Sequence, residues 1–484
     1  MDTLGVVFAM LAAVVLSGVL VRTLPFAVPT PLVQIALGAV LALSFGRAVR
    51  LDPEVFFLLF LPPLLFLDGW RIPKEDLLRD RTMILELALG LVFFTVLGMG
   101  FVIHWMIPAM PLPVAFALAA IVSPTDPVAV SAITGRVAIP RRVLHVLEGE
   151  SLLNDASGLV CFRFAVAAAM TGSFSLGAAT LAFARLAVGG ILIGAGLTAG
   201  VMYLKHAISK RFGEESGSEV LISVLVPFAA YVAAEHAGGS GILAAVAAGI
   251  TMSYIELSGQ ALGATRMQRA AVWNTLQFAF NGVIFVLLGE QLPDILADAE
   301  TAVRQSERID PAWIIAYVLA ILFGLAVLRF VWVWTSLRLN AFLQRTRGEQ
   351  ATRRVSVRLI AAVSVAGVRG AITLAGVLTL PLALADGSPF PARSLAIMLA
   401  AGVIVLSLVA ANLCLPRLLR NLEVPPEPMK DRESDRARIA AAEAAIRAVE
   451  RTAREAADDA DTDLDSQAAA RVIELYRRRI EGRA

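Results

Sequence analysis

The sequence predicts an all-α polytopic membrane protein of about thirteen transmembrane helices, followed by a helical soluble tail. Three observations predict it. Of 484 residues, 58% are hydrophobic and only 17% are charged, and the mean hydropathy is +0.74, well beyond what filling a soluble core requires. The apolar residues fall into runs long enough, or nearly so, to cross about 30 Å of hydrocarbon as helix. Loop charge alternates along the chain, as it does when successive loops face opposite sides of a membrane.

The runs lie near 4–21, 28–45, 54–69, 82–108, 113–133, 150–171, 177–204, 219–236, 240–256, 271–291, 312–337, 357–383 and 394–418. Only Asp2 precedes the first, so there is no basic flank of the kind a signal peptide carries, and the run reads as a helix. Alternate loops hold 19 Lys and Arg, starting with Arg22 and the Arg71–Arg81 group, whereas the intervening loops hold five: Arg47, Arg50, Arg304, Arg308 and Arg393. The N-terminus is therefore expected outside and the C-terminus in the cytoplasm, which requires an odd number of helices. Thirteen satisfies that.

After Pro425-Pro426 the composition turns to Ala, Arg, Glu and Asp. We divide the chain into a membrane domain, 1–422, and a charged helical cytoplasmic tail, 423–484. Ile439, Ile446 and Val449, then Val472, Tyr476 and Ile480, recur at helical spacing on either side of an acidic break at 458–465. Such narrow stripes suit docking or pairing better than an independent core. Cys161 and Cys414 lie in or near apolar segments, and four scattered histidines share no ligand spacing. Neither a disulfide framework nor a zinc site is expected.

Within the fifth and sixth runs, Ser-Pro-Thr-Asp-Pro at 123–127 and Glu-Ser-Leu-Leu-Asn-Asp at 150–155 place Asp126, Glu150 and Asp155 where charge is expensive. Ionisable groups inside a bilayer cost at least about 2.5 kcal/mol each and mark ion or proton pathways. Pro124 and Pro127 each lack an N–H, so the carbonyls of Ala120 and Ser123 should lose their helical partners and the helix should break around Thr125-Asp126. Unwound backbone at membrane depth is a cation-coordinating device in transporters. Ser151 and Asp155 share one helix face, and Glu150 and Asn154 another rotated by roughly 100°. Asp126, Asp155, the hydroxyls of Thr125 and Ser151 and freed carbonyls would offer an all-oxygen set suited to a hard cation such as Na⁺. Buried carboxylates need a compensating cation. Arg369, flanked by Gly367 and Gly370 within the 357–383 run, is the candidate, expected to pair with Glu150. Arg163 and Arg329 also lie in helices, without an assignable partner.

Two other function classes share some of these features. Gly238-Gly239-Ser240-Gly241 beside His236 superficially fits an intramembrane serine protease, but small residues in membrane helices more often serve packing, and sequence proximity does not give nucleophile–base geometry. A passive cation channel could use the same carboxylates without proton coupling.

The motifs at 123–127 and 148–155, with Leu-Pro-Pro-Leu-Leu-Phe (61–66), Gly-Ser-Gly-Ile-Leu-Ala (239–244), Phe-Asn-Gly-Val-Ile-Phe-Val-Leu-Leu-Gly (280–289) and Gly-Val-Arg-Gly-Ala (367–371), resemble the monovalent cation/proton antiporter family over about 1–420. The resemblance implies two inverted six-helix repeats, discontinuous fifth and twelfth helices crossing near the site, a homodimer, and a bacterial plasma membrane location. It implies Asp155 as the ion- and proton-binding carboxylate, Thr125, Asp126 and Ser151 around it, Asn154 in support and Glu150 paired to Arg369. Electrogenic relatives carry Asp where this chain has Asn154, which favours electroneutral one-for-one exchange of Na⁺ or Li⁺ for H⁺, with K⁺ the alternative cargo. No enzymatic activity, cofactor or nucleic-acid partner is expected.

Overall fold

The structure, a computed structural model, describes residues 3–24, 28–45, 53–72, 81–126, 141–172, 176–212, 215–257, 263–305, 312–346, 356–384, 386–420, 428–456 and 469–477. It is nearly all helical and separates into two units, Met1–Leu422 and Glu423–Ala484.

In the first unit the helices are α1 (Thr3–Thr23), α2 (Thr30–Phe45) and α3 (Pro53–Arg71), then α4, which joins Arg81–Leu85 to Val92–Met106 through a π-helical stretch, Glu86–Leu91. There follow α5 (Leu112–Val122), α6 (Arg141–Thr171), α7 (Leu176–Phe212), α8 (Ser216–His236), α9 (Gly241–Leu257), α10 (Gly263–Gln305) and α11 (Ala312–Thr346). Two short pieces, α12 (Val357–Val365) and α13 (Ala371–Leu378), precede α14 (Arg393–Leu419). Every apolar run of the sequence carries described helix. Among the described residues eight helices are long and apolar enough to cross a membrane, and Thr30–Ser44, Leu112–Val122 and Gly241–Glu256 are shorter apolar helices. The protein is a multi-pass membrane protein.

Small residues bring these helices close, because lipid offers no hydrophobic driving force and association relies on backbone approach. The most extensive pairs are α2 with α10, α3 with α9, and α7 with α9. In the first, Gly38 lies against the Val286 carbonyl and Gly289 against the Ile35 carbonyl, so a Cβ at either position would strike backbone. The deepest core surrounds α5, whose Val114, Ala117, Ala119, Ala120 and Val122 are wholly buried. A short apolar helix enclosed this way can end at membrane depth without exposing its last carbonyls to lipid.

In the second unit α15 (Pro428–Ala456) places Ile439, Ile446 and Val449 on a half-buried stripe around the buried Ala442. The 469–477 helix carries Val472 and Tyr476. The acidic break and Ile480 lie outside the described residues.

Candidate functional site

The site begins where α5 stops. Its last helical residue is Val122, and Ser123 to Asp126 continue without helix, as Pro124 dictates by withholding an N–H from Ala120. Pro127 lies outside the described residues. On the other side of the fold, α12 ends at Val365, the five residues 366–370 follow in extended or turn conformation, and α13 begins at Ala371. The two interruptions meet. The Asp126 N–H donates to the Val368 carbonyl at 2.8 Å, and a Cβ at Gly367 would sit 3.2 Å from the Thr125 methyl. Gly370 is held even tighter, since a Cβ there would collide with the Asp126 carboxylate. Glycine is required at 370 by that approach.

Arg369 explains how the crossing is electrically tolerated. Its Nε donates to the Val122 carbonyl at 2.8 Å and its terminal nitrogen to the Gly367 carbonyl, and its backbone N–H donates to Ser407 Oγ at 3.1 Å on α14. Val122 and Gly367 lie at the C-terminal ends of α5 and α12, each carrying about half a negative charge. One guanidinium offsets about one unit of helix-end charge. Asp126 sits at the opposite kind of end, against the residue preceding α13, where an anion is favoured.

This corrects one expectation. The cation bound to Glu150 is Arg329, not Arg369: both Arg329 terminal nitrogens donate to the two Glu150 oxygens at 2.6 Å, a bidentate pair with side chains 1% and 4% exposed. The Arg329 Nε also donates to the Val363 carbonyl of α12 at 3.1 Å. The physical reason is geometric, because backbone carbonyls of two helix ends already occupy the Arg369 guanidinium, while Arg329 approaches from α11 with its planar fork free to match a carboxylate. Arg163 faces Glu235 at 3.7 Å on a half-exposed surface, away from the site.

α6 brings the remaining oxygens. Gly158 of α6 packs so closely on Pro124 that a Cβ would overlap it. That contact sets α6 beside the break. Ser151 Oγ donates to the Thr125 carbonyl at 2.7 Å, and Asn154 Nδ2 donates to Thr125 Oγ1 at 3.1 Å. Thr125 Oγ1 points on to Glu150 at 3.5 Å. Three other carbonyls at the two interruptions are claimed, Val122 by Arg369, Thr125 by Ser151 and Val368 by Asp126. Side-chain oxygen adds to the set. The Asn154 Oδ1 is buried without a hydrogen-bond partner among the described residues. Asp155 is 8% exposed, and among the described residues the carboxylates of Asp126, Asp68 and Glu150 act on it through space.

Asp68, on α3, escaped the sequence reading. Its signal was available: it is an acidic residue at the end of an apolar run that carries two prolines, Pro62 and Pro63. Chemically, the assembly is a buried carboxylate facing like charge, with hydroxyl and amide oxygens around it, able to take a proton or a small cation but not both comfortably.

Ser240 and His236 do other work. Ser240 Oγ accepts from the Leu243 N–H at 3.3 Å as a helix cap, and the His236 Nδ1 contacts the Val232 carbonyl of its own helix at 2.9 Å, so neither addresses the other.

Comparison with known proteins shows the family and the fold. A family model described as "Sodium/hydrogen exchanger, transmembrane" matches residues 8–421. The chain is 44% identical over 492 residues to an "Uncharacterized Na(+)/H(+) exchanger YjcE" of Escherichia coli (strain K12), covering 100% of this chain and 89% of that one. It is also 44% identical over 421 residues to a "Sodium, potassium, lithium and rubidium/H(+) antiporter" of Bacillus pumilus, covering 86% of this chain but only 61% of that relative's length. In fold it resembles the sodium proton antiporter MjNhaP1 of Methanocaldococcus jannaschii, with a TM-score of 0.64 at 18% identity over 87% of this chain and 98% of that one.

Proposed function

Because the chain belongs to the sodium/hydrogen exchanger family, whose members are antiporters and not enzymes, we propose that it exchanges Na⁺ or Li⁺ for H⁺, one for one, at Asp155. The observation that carries the reading is the charge arrangement around that residue. Arg329 is committed to Glu150 and Arg369 to two helix ends, while Asp126, Asp68 and Glu150 act on Asp155 through space. The site is short of positive charge, and a proton or a cation supplies it.

In the mechanism, ionised Asp155 and Asp126 attract the dehydrated cation, and the Thr125 and Ser151 hydroxyls and the Asn154 amide oxygen replace part of its water. Protonation of Asp155 removes that attraction, so each ligand expels the other. Neither ligand crosses unless the loaded site becomes accessible from the opposite side, which is alternating access. Asn154 cannot ionise, and with one carboxylate exchanging its occupant the cycle moves no net charge. No cofactor takes part.

The same reading places thirteen helices in two inverted six-helix repeats, two copies in a homodimer, and the chain in a bacterial plasma membrane with its N-terminus outside and its tail in the cytoplasm. Loop charge supports the orientation. The role is pH and sodium homeostasis. A broader cargo, including K⁺, is favoured by the relative named for sodium, potassium, lithium and rubidium at 44% identity. The test is a pH-sensitive dye inside proteoliposomes challenged with Na⁺, Li⁺ and K⁺ in turn. Alkalinisation of the proton-loaded lumen by an added cation supports antiport; cation uptake without any pH change rejects it in favour of a channel.

A further inference from the structure

Of the charged residues in the membrane-length stretch 149–171 of α6, Glu150 and Asp155 belong to the ion site and Arg163 does not. Arg163 lies two turns, about 12 Å, beyond Asp155 and the same distance short of the helix end at Thr171. Its side chain is half exposed and faces Glu235 of α8 at 3.7 Å. Charge at such a depth is tolerated where it meets a partner and a water-filled recess. The turn between α8 and α9 is set low enough to leave one: the Ser240 N–H donates to the Leu186 carbonyl at 2.9 Å, a point about 15 Å into α7 from its start at Leu176.

The two partners are held differently. Glu235 Oε1 also accepts from the Gly241 N–H at 3.1 Å, at the start of α9, and the turn is pressed on α7 so tightly that a Cβ at Gly190 would strike the Ser240 backbone. Glu235 therefore moves with α7, α8 and α9. Arg163 moves with α6, which packs extensively on α4 and α5 but only slightly on α3 and α9, and has at most a marginal contact with α8. The ion pair thus spans a thinly packed seam. On one side are the broken helix and the carboxylates of the ion site; on the other is a group of helices locked together by glycine contacts.

We propose that Arg163 and Glu235 form a latch across this seam, closed in the arrangement described here and parted when α6 moves against the α8–α9 turn to open Asp155 toward the Thr171 end of the helix. The inference rests on the alternating-access reading above. A half-exposed pair biases an equilibrium by only about twofold to fivefold. That weakness suits a contact that must break and re-form in every cycle, whereas a fully buried pair such as Arg329–Glu150 would hold the two sides together.

The experiment uses the full chain with Arg163→Gln, Glu235→Gln and the double variant. Glutamine at 235 keeps an oxygen for the Gly241 N–H, so the change isolates the ion pair. In dye-loaded proteoliposomes each single variant should change the exchange rate by about twofold to fivefold, and the double variant should match either single one, because all three delete the same contact. For a readout that needs no transport, Ala167→Cys on α6 and Ala237→Cys in the turn, both exposed positions, are joined by a short reducible bis-thiol reagent in a chain carrying Cys161→Ala and Cys414→Ala. The rate of joining should fall by about twofold to fivefold when Arg163→Gln or Glu235→Gln is added, and the joined protein should not exchange until it is reduced. Additive effects in the double variant, joining rates that neither substitution alters, or undiminished exchange by the joined protein would each overturn the latch. Absence of exchange in the wild type would instead sink the antiport reading, and the joining rates alone would still decide whether the pair holds the seam.

Discussion

Replacing Arg329 with Met removes two charge-assisted hydrogen bonds of 2.6 Å and leaves Glu150, 1% exposed, buried without its partner. Hydrogen bonds to charged groups contribute about 1.5–3 kcal/mol each, and breaking a buried pair from one side costs about 3–5 kcal/mol. Arg329→Met should therefore destabilise by about 4 kcal/mol, with part of the loss coming from the Val363 carbonyl that Arg329 also satisfies. Glu150→Gln alone should cost a similar amount by stranding the guanidinium. The double replacement leaves no buried charge, so it should fall well short of the sum, with an interaction term of about 2–3 kcal/mol. Thermal denaturation midpoints of the four proteins in one detergent at one scan rate supply the cycle. A parallel cycle with Glu150→Gln and Arg369→Met should be nearly additive, because Arg369 is held by carbonyls of Val122 and Gly367. Additivity at 150/329 together with strong coupling at 150/369 would refute the assignment of the pair.

Asp155→Asn should abolish both cation uptake and proton release in dye-loaded proteoliposomes, and substantial residual exchange would move the site elsewhere. Wild-type exchange should be bell-shaped in pH, failing at low pH where protons hold Asp155 and at high pH where none arrive, and a monotonic profile from acid to alkali would contradict competition at one carboxylate. A valinomycin-imposed potential of either polarity should leave the initial rate unchanged, whereas a several-fold dependence on its sign would reject electroneutral exchange and the inference from Asn154. Gly370→Ala should cost at least tenfold in rate, since the added methyl meets the Asp126 carboxylate; wild-type turnover by that variant would mean the crossing is looser than described.

The parts of this fold that local chemistry controls could be read from the chain. Apolar length marked where described helix lies, and Pro124 marked the end of α5, which stops at Val122, three residues before the expected break at Thr125-Asp126, because a missing N–H acts on its own turn. Helix spacing put Ser151 and Asn154 on two stripes of one helix, and both stripes meet Thr125, one at its carbonyl and one at its hydroxyl. Boundaries set by something other than apolarity were less legible: α6 starts at Arg141 and not near 150, since a helix can continue beyond the hydrocarbon. The π-helical stretch at Glu86–Leu91 has no hydropathy signature at all. Pairing was the least legible. Arg329 and Arg369 sit in equally apolar surroundings, and the contact that separates them spans 179 residues. The glycines beside Arg369 signalled close backbone approach, which is real, but the partner they served was carbonyl oxygen and not a carboxylate.

The bond from the Asp126 N–H to the Val368 carbonyl, and the Arg369 bridge to Val122, join segments more than 240 residues apart. During synthesis the first interruption enters the membrane long before its partner exists. Until then its N–H and terminal carbonyl have neither water nor protein to satisfy them, a condition costing several kcal/mol per group in hydrocarbon. Completion of the crossing should therefore be a late, post-insertion event, since its two halves are supplied by distant parts of the chain. Two separately expressed halves, cut in the 347–355 stretch, should each be unstable alone and should rescue one another, because each supplies the backbone groups the other lacks.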